Sequence, residues 1–92
     1  MKRPRTLVFE SDSWAEWQTL QRQSPKLAQK AVLIIKEMRR EDPSVGIGRP
    51  EPLRYQLSGL WSRRLSSKDR IIYSFDEDTL TIWAIGGHYR DK

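Results

Sequence analysis

The chain has 92 residues, with 17 Lys and Arg against 12 Asp and Glu, four Trp, one His and no Cys. That length allows one domain, residues 1–92, and excludes a cofactor-binding domain joined to a substrate domain. Without cysteine there is no disulfide framework, thiolate zinc site or cysteine nucleophile. The formal charge of +5 points to a polyanionic or acidic partner. No apolar run approaches the ~18 residues of a membrane span. Met1–Arg5 leads into no apolar leader core, so neither membrane nor export is expected and the cytoplasm is the default.

In chain order, Thr6–Phe9 is a short β-prone run. Ser13-Trp-Ala-Glu16 has the spacing of a capping box, in which Ser13 caps the N3 amide and Glu16 reaches back. Trp14, Trp17 and Leu20 follow at helical spacing, so a helix is expected from about Ser13 to Arg22. Ser24-Pro25 supplies an N-cap and a proline at N1. Leu27, Ala31, Ile34, Ile35 and Met38 then form one face of a second helix to about Arg40, ended by Pro43 and the Gly46/Gly48 pair. Val45–Pro52 reads as an ordered loop. Beyond it the period becomes two. Leu53, Tyr55 and Leu57 alternate with polar residues as a half-buried strand, Ser58-Gly59 is a hairpin turn, and Leu60–Leu65 returns. Arg70–Phe75 and Thr79–Ile85 make a second hairpin about Asp76-Glu77-Asp78. The expected fold is α+β, in the order β-α-α-β-β-β-β, with a helical hairpin packed on one side of a mainly antiparallel sheet. The other face is left open. Trp14, Trp17 and Trp83 are expected in the core; Trp61, beside the basic run, is expected to be more open.

Charge is concentrated. Arg49 to Arg70 holds six cations (Arg49, Arg54, Arg63, Arg64, Lys68, Arg70) and two anions (Glu51, Asp69), or +4 of the total. Three chemistries are disfavoured. Asp76-Glu77-Asp78 is the one carboxylate cluster and reads as a solvated hairpin tip, so no metal site is expected. No glycine-framed serine supports a Ser-His-Asp hydrolase. Gly46-Ile-Gly48 lacks the strand-then-helix setting of a phosphate loop. An acid–base set without cofactor remains, suited to RNA, whose 2′-hydroxyl is a built-in nucleophile: Glu51 as base, Arg70, Arg64 and Arg54 as phosphate clamp, His88 as acid. The spacing alone does not carry this set, and composition and pattern reach only as far as a basic α+β domain that binds RNA or an acidic protein. Trp61, Tyr55 and Tyr89 would then stack on bases, with Arg63 among the cations.

The stretch Gly48-Arg-Pro-Glu-Pro-Leu-Arg-Tyr-Gln-Leu-Ser-Gly-Leu-Trp-Ser-Arg-Arg-Leu65, then Asp69-Arg-Ile-Ile-Tyr73 and His88-Tyr89, resembles the Txe/YoeB branch of the RelE-like bacterial toxins. The pieces GxPEPL, LSGxWSRR, DRxxY and HY occur in order. The resemblance implies a RelE-like fold and a toxin of a type II toxin–antitoxin module that binds the ribosome and cuts messenger RNA in the A site without a metal or other cofactor. It implies a YefM-like antitoxin whose C-terminal segment covers the site. Carried onto this sequence, Glu51 is the base, Arg70 the phosphate-stabilising arginine, Arg64 its assistant, His88 the acid and Tyr89 the aromatic that orients substrate. Family members are often homodimers, and a monomer fits this sequence equally well. The chain departs from the family pattern at Arg54 (often Lys), Tyr55 (often His) and Asp69 (often His), and in Arg90-Asp91-Lys92 after the tyrosine.

Overall fold

A computed structural model describes residues 3–87 of the chain. Strand β1 (Thr6–Phe9) leads into helix α1 (Ser13–Gln23) and helix α2 (Pro25–Arg40). Strands β2 (Glu51–Pro52), β3 (Trp61–Arg64), β4 (Arg70–Phe75) and β5 (Thr79–Gly86) follow, with a 3₁₀ turn at Tyr55–Leu57. The sheet order is β1-β5-β4-β3-β2; β1 runs parallel to β5 and the remaining pairs are antiparallel. The expected α+β order of elements is therefore present. No described helix is long and apolar enough to cross a membrane.

Ala31, Ile34, Ile35 and Met38 of α2 meet Leu65, Ile71, Tyr73, Leu80, Ile82 and Ile85 in one core on one side of the sheet. Pro25 takes the first position of α2 as expected, but Ser24 makes no side-chain capping bond. The Ser13–Glu16 capping box is also absent. Asp12 precedes α1, while Ser13 Oγ donates to the Ile82 carbonyl at 2.9 Å and Glu16 Oε1 accepts from the Ile85 amide at 2.9 Å. Both side chains are spent on β5, beside the register irregularity where Ile72 faces Ala84 and Tyr73 faces Ile82. A bulge there frees backbone groups from the ladder, and α1 satisfies them.

The second half of the chain corrects the expected hairpin. Leu53–Leu57 is not a strand: β2 is only Glu51–Pro52, opposite Ser62 and Trp61, and the chain then turns through the 3₁₀ segment. Arg49 and Tyr55 both have left-handed backbones, φ 55° and 60°, which end extended pairing on either side of β2. The alternation of Leu53, Tyr55 and Leu57 buries little, since Tyr55 is 89% exposed. Residues 53–60 form a loop held by Leu53 N–H to the Leu60 carbonyl and Leu60 N–H to the Leu57 carbonyl, not a two-residue turn at Ser58-Gly59.

Arg63 is fully buried and uses all five donors. Nε donates to the Tyr73 hydroxyl at 3.2 Å, Nη1 to Glu37 Oε1 at 2.5 Å and the Ile47 carbonyl at 3.0 Å, and Nη2 to the Pro43 and Val45 carbonyls at 3.0 and 2.7 Å. Tyr73 Oη in turn donates to Pro43 O at 2.7 Å. The guanidinium thus supplies hydrogen bonds to a loop with no regular structure of its own. Gly46 leaves room for the Glu37 carboxylate, which a Cβ there would overlap. Gly48, at φ 87°, lies so close to β3 that a Cβ would sit 2.7 Å from the Arg64 carbonyl; its own carbonyl accepts from Arg64 N at 2.7 Å. Arg5 does similar work at the other end, donating to the Met38 and Glu41 carbonyls at the end of α2 and to Asp76 O in the β4–β5 turn.

Three outcomes follow from this packing. Arg63→Met should lower unfolding free energy by about 3–5 kcal/mol in urea titrations, because it strands the Glu37 carboxylate and four other acceptors. Gly48→Ala should speed hydrogen exchange at the Arg64 amide, the donor to its carbonyl, more than at the core amides of β4. Burial raises the Tyr73 phenol above its ordinary value, against the opposing Arg63 hydrogen bond. The unfolded chain therefore loses this proton first, and stability should fall as pH rises above about 10. In Tyr73→Phe that alkaline fall should shrink.

Candidate active site on the open sheet face

Strand alternation assigns each side chain to a face. On β3, Arg63 points to Glu37 of α2 and Trp61 packs on the core beside Phe75, ring centroids 5.9 Å apart, so Ser62 and Arg64 point the other way. On β4, Ile71 and Tyr73 are in the core, so Arg70, Ile72 and Ser74 share the opposite face. The register across the sheet places Glu51, Ser62, Ile72 and Ala84 in one row. The next row on this face is Arg64, Arg70 and Gly86. Glu51 is therefore a diagonal neighbour of Arg64, a spacing of about 7–8 Å. It is about 12 Å from Arg70 by strand spacing and rise, a gap that two long side chains can close onto one small group between them.

Arg64 and Arg70 are direct cross-strand partners, an arrangement of like charges that opposes folding. Among the described residues neither lies within 4 Å of a carboxylate, and the one ion pair is Arg63–Glu37. Arg70 is oriented by backbone: Nη1 donates to Ser66 O at 3.0 Å and Asp69 O at 3.3 Å, while Nε and Nη2 make no hydrogen bond among the described residues. The Asp69 carboxylate makes no ion pair with this guanidinium and accepts from Ser66 Oγ at 2.7 Å. It builds the turn that holds Arg70 and leaves the charge of Arg70 free to act on an anion. Glu51 is exposed on its edge strand, with its amide position fixed between two prolines. Arg54 is exposed on the loop after β2. Among the described residues no three His, Cys, Asp or Glu are clustered as metal ligands.

The structure thus brings together Glu51, Arg64 and Arg70, and it removes two residues from the expected set. Arg63 is sealed beneath the sheet with every donor engaged, and has none left for a phosphate. Trp61 packs on the helix side with Phe75 and offers no face to a base on the open side. His88 and Tyr89 lie outside the described residues. The expected core positions of Trp14 and Trp83 are also corrected: Trp14 is 54% exposed and meets Phe9 edge-on, and Trp83 stands on the open face. A signal for the Arg63 correction was present in the sequence. Trp61, Arg63 and Leu65 share one parity on β3, and the two apolar members mark the buried side.

The chain and its fold are similar to known proteins. A family model described as the YoeB-like toxin of bacterial type II toxin–antitoxin systems matches residues 9–89. A toxin YoeB of Escherichia coli is 39% identical over 83 residues, covering 90% of this chain and 98% of its own. Among solved structures, a YoeB–YefM complex from Staphylococcus aureus aligns with TM-score 0.83 at 27% identity, over 92% of this chain and 98% of that one. A YoeB dimer from the same organism aligns with TM-score 0.84 at 27% identity, over 94% and 99%. Matched along nearly its whole length, the chain belongs to the YoeB-like toxins of bacterial type II toxin–antitoxin systems.

Proposed function

We propose that this toxin is a metal-free, ribosome-dependent endoribonuclease that cuts messenger RNA in the A site and so halts translation. The observation that carries the reading is the facing pair Arg64–Arg70 beside Glu51 on a sheet face that no helix covers. Two cations held against each other need an anion between them, and the phosphodiester supplies it. Glu51 takes the proton of the 2′-hydroxyl as O2′ attacks phosphorus; the O2′–P bond forms and the P–O5′ bond breaks. Arg70, with Nε and Nη2 unspent, and Arg64 donate to the non-bridging oxygens, where negative charge builds. His88 gives its proton to the departing O5′, and Tyr89 orients the substrate. The product ends are a 2′,3′-cyclic phosphate, or the 3′-phosphate that its hydrolysis leaves, and a 5′-hydroxyl.

His88 follows Gly86 and Gly87 in sequence, and Gly86 is the partner of Arg70 in the register. Arg54, exposed past Pro52, contacts a neighbouring phosphate. The same basic face suits the acidic tail of a YefM-like antitoxin, as the Staphylococcus aureus complex supports, and the related dimer supports association of two copies. The site of action is the cytoplasm, with the ribosome and its messenger RNA as partners.

Primer extension on a defined messenger RNA, with and without translating ribosomes and with EDTA throughout, tests this reading. Discrete cuts should appear with ribosomes and resist EDTA. Glu51→Gln and Arg70→Ala should each lower the cleavage rate about 10²–10⁴-fold while leaving the fold intact. Cuts unchanged in both variants, or none from wild-type protein, would leave the face a binding surface without catalysis.

A further inference from the structure

We propose that Trp83 is a base-stacking platform of the open face, which holds a nucleotide within about three steps of the clamped phosphate. This rests on the nuclease reading above and adds a binding residue to it. The observation is the β5 bulge. Ile82 and Ile85 are both in the core although three residues apart, so Trp83 and Ala84 between them both face away from it. Trp83 is 36% exposed, and its indole N–H donates to Ser74 Oγ at 2.9 Å on the neighbouring strand, which fixes the ring against the sheet. Its neighbours on this face are Thr81, Ser74, Ala84 and the buried Ile72, all uncharged, so the ring stands on an uncharged part of the face. Phe9, Trp61, Tyr73 and Phe75 are all turned to the helix side. Trp83 is therefore the one aromatic that the described strands present on the open face.

Placement argues for a nucleobase. Trp83 stands three residues before Gly86, the partner of Arg70, a distance of about 10 Å along β5. Stacked bases are spaced by about 3.4 Å, so the ring is within about three nucleotide steps of the clamped phosphate. An exposed aromatic beside cations on an open sheet is the arrangement that holds single-stranded RNA by stacking. The geometry has a structural source outside the site: Ser13 and Glu16 of α1 bond Ile82 O and Ile85 N on either side of Trp83, and so hold the bulge in place.

The test measures affinity for a single-stranded RNA oligonucleotide in the Glu51→Gln background, which keeps the RNA intact. Adding Trp83→Ala should weaken binding about 5- to 150-fold. Trp83→Phe should restore most of it, and the slope of affinity against salt should stay constant because no phosphate contact is lost. Adding Arg64→Ala instead should reduce that slope by about one. If Trp83→Ala disturbs the circular dichroism spectrum, Trp83→Leu keeps apolar bulk without a stacking ring and should show the same loss. Equal affinity in the Leu or Ala variant, or a loss in Phe as large as in Ala, would overturn the proposal. So would an effect confined to an acidic antitoxin peptide. Absence of RNA binding by Glu51→Gln itself, or binding indifferent to Trp83, would sink this proposal alone; the nuclease reading falls only if primer extension on ribosomes shows no cuts that depend on Glu51.

Discussion

The buried guanidinium of Arg63 is the interaction on which the rest of the molecule depends. It sits under the sheet with five donors satisfied by Glu37, Tyr73 and three carbonyls between Pro43 and Ile47. Desolvating an arginine is expensive, and it is tolerated where every donor has an acceptor. In return an irregular ten-residue passage from α2 to β2 (41–50) has a fixed path. That path delivers Gly48 against the backbone of Arg64 and Glu51 against Ser62. The proposed base is exposed and its strand is two residues long, so its position comes from this anchoring beneath it and not from pairing alone.

The same strand therefore separates structure from function by parity. Arg63 and Arg64 are adjacent in sequence, identical in chemistry and opposite in fate. One neutralises a carboxylate in the interior; the other faces Arg70 across the open side with no carboxylate beside it among the described residues. Of the +4 carried by residues 49–70, the share held by Arg63 is cancelled internally by Glu37. What remains for a polyanion is a smaller cluster, placed on rigid β-structure. Asp69 fits the same logic: its carboxylate organises the Ser66–Asp69 turn, and that turn's carbonyls aim Arg70.

Much of this was legible in the sequence, and the gaps have physical causes. The helices announced themselves by apolar period and by Pro25 at a helix start, and β4 and β5 by alternation. β2 was not legible, because left-handed backbones at Arg49 and Tyr55 are adopted by residues that carry no glycine signal. Leu53, Tyr55 and Leu57 mimic a strand that the chain does not make. Ser13 and Glu16 have capping-box spacing, yet tertiary contact with a bulge on β5 outcompetes the local bonds. The bulge itself leaves no mark in the sequence: counted back from Ile85, alternation puts Trp83 inside, and counted on from Ile82 it puts Trp83 outside, where it lies. Glu51 and Arg70 were candidates by residue chemistry and the family resemblance singled them out; the fold supplies the reason they share a surface with Arg64.

The central claim is that this surface uses the RNA's own 2′-hydroxyl as nucleophile, with Glu51 as its base. The most direct measurement compares two messenger RNAs in translating ribosomes with EDTA present, identical except for a single 2′-deoxy nucleotide immediately 5′ of the mapped cut. The account requires that the all-ribose RNA be cut to a 2′,3′-cyclic phosphate, or the 3′-phosphate that its hydrolysis leaves, and that the deoxy RNA stay whole at that bond. Equal cleavage of both RNAs would contradict it.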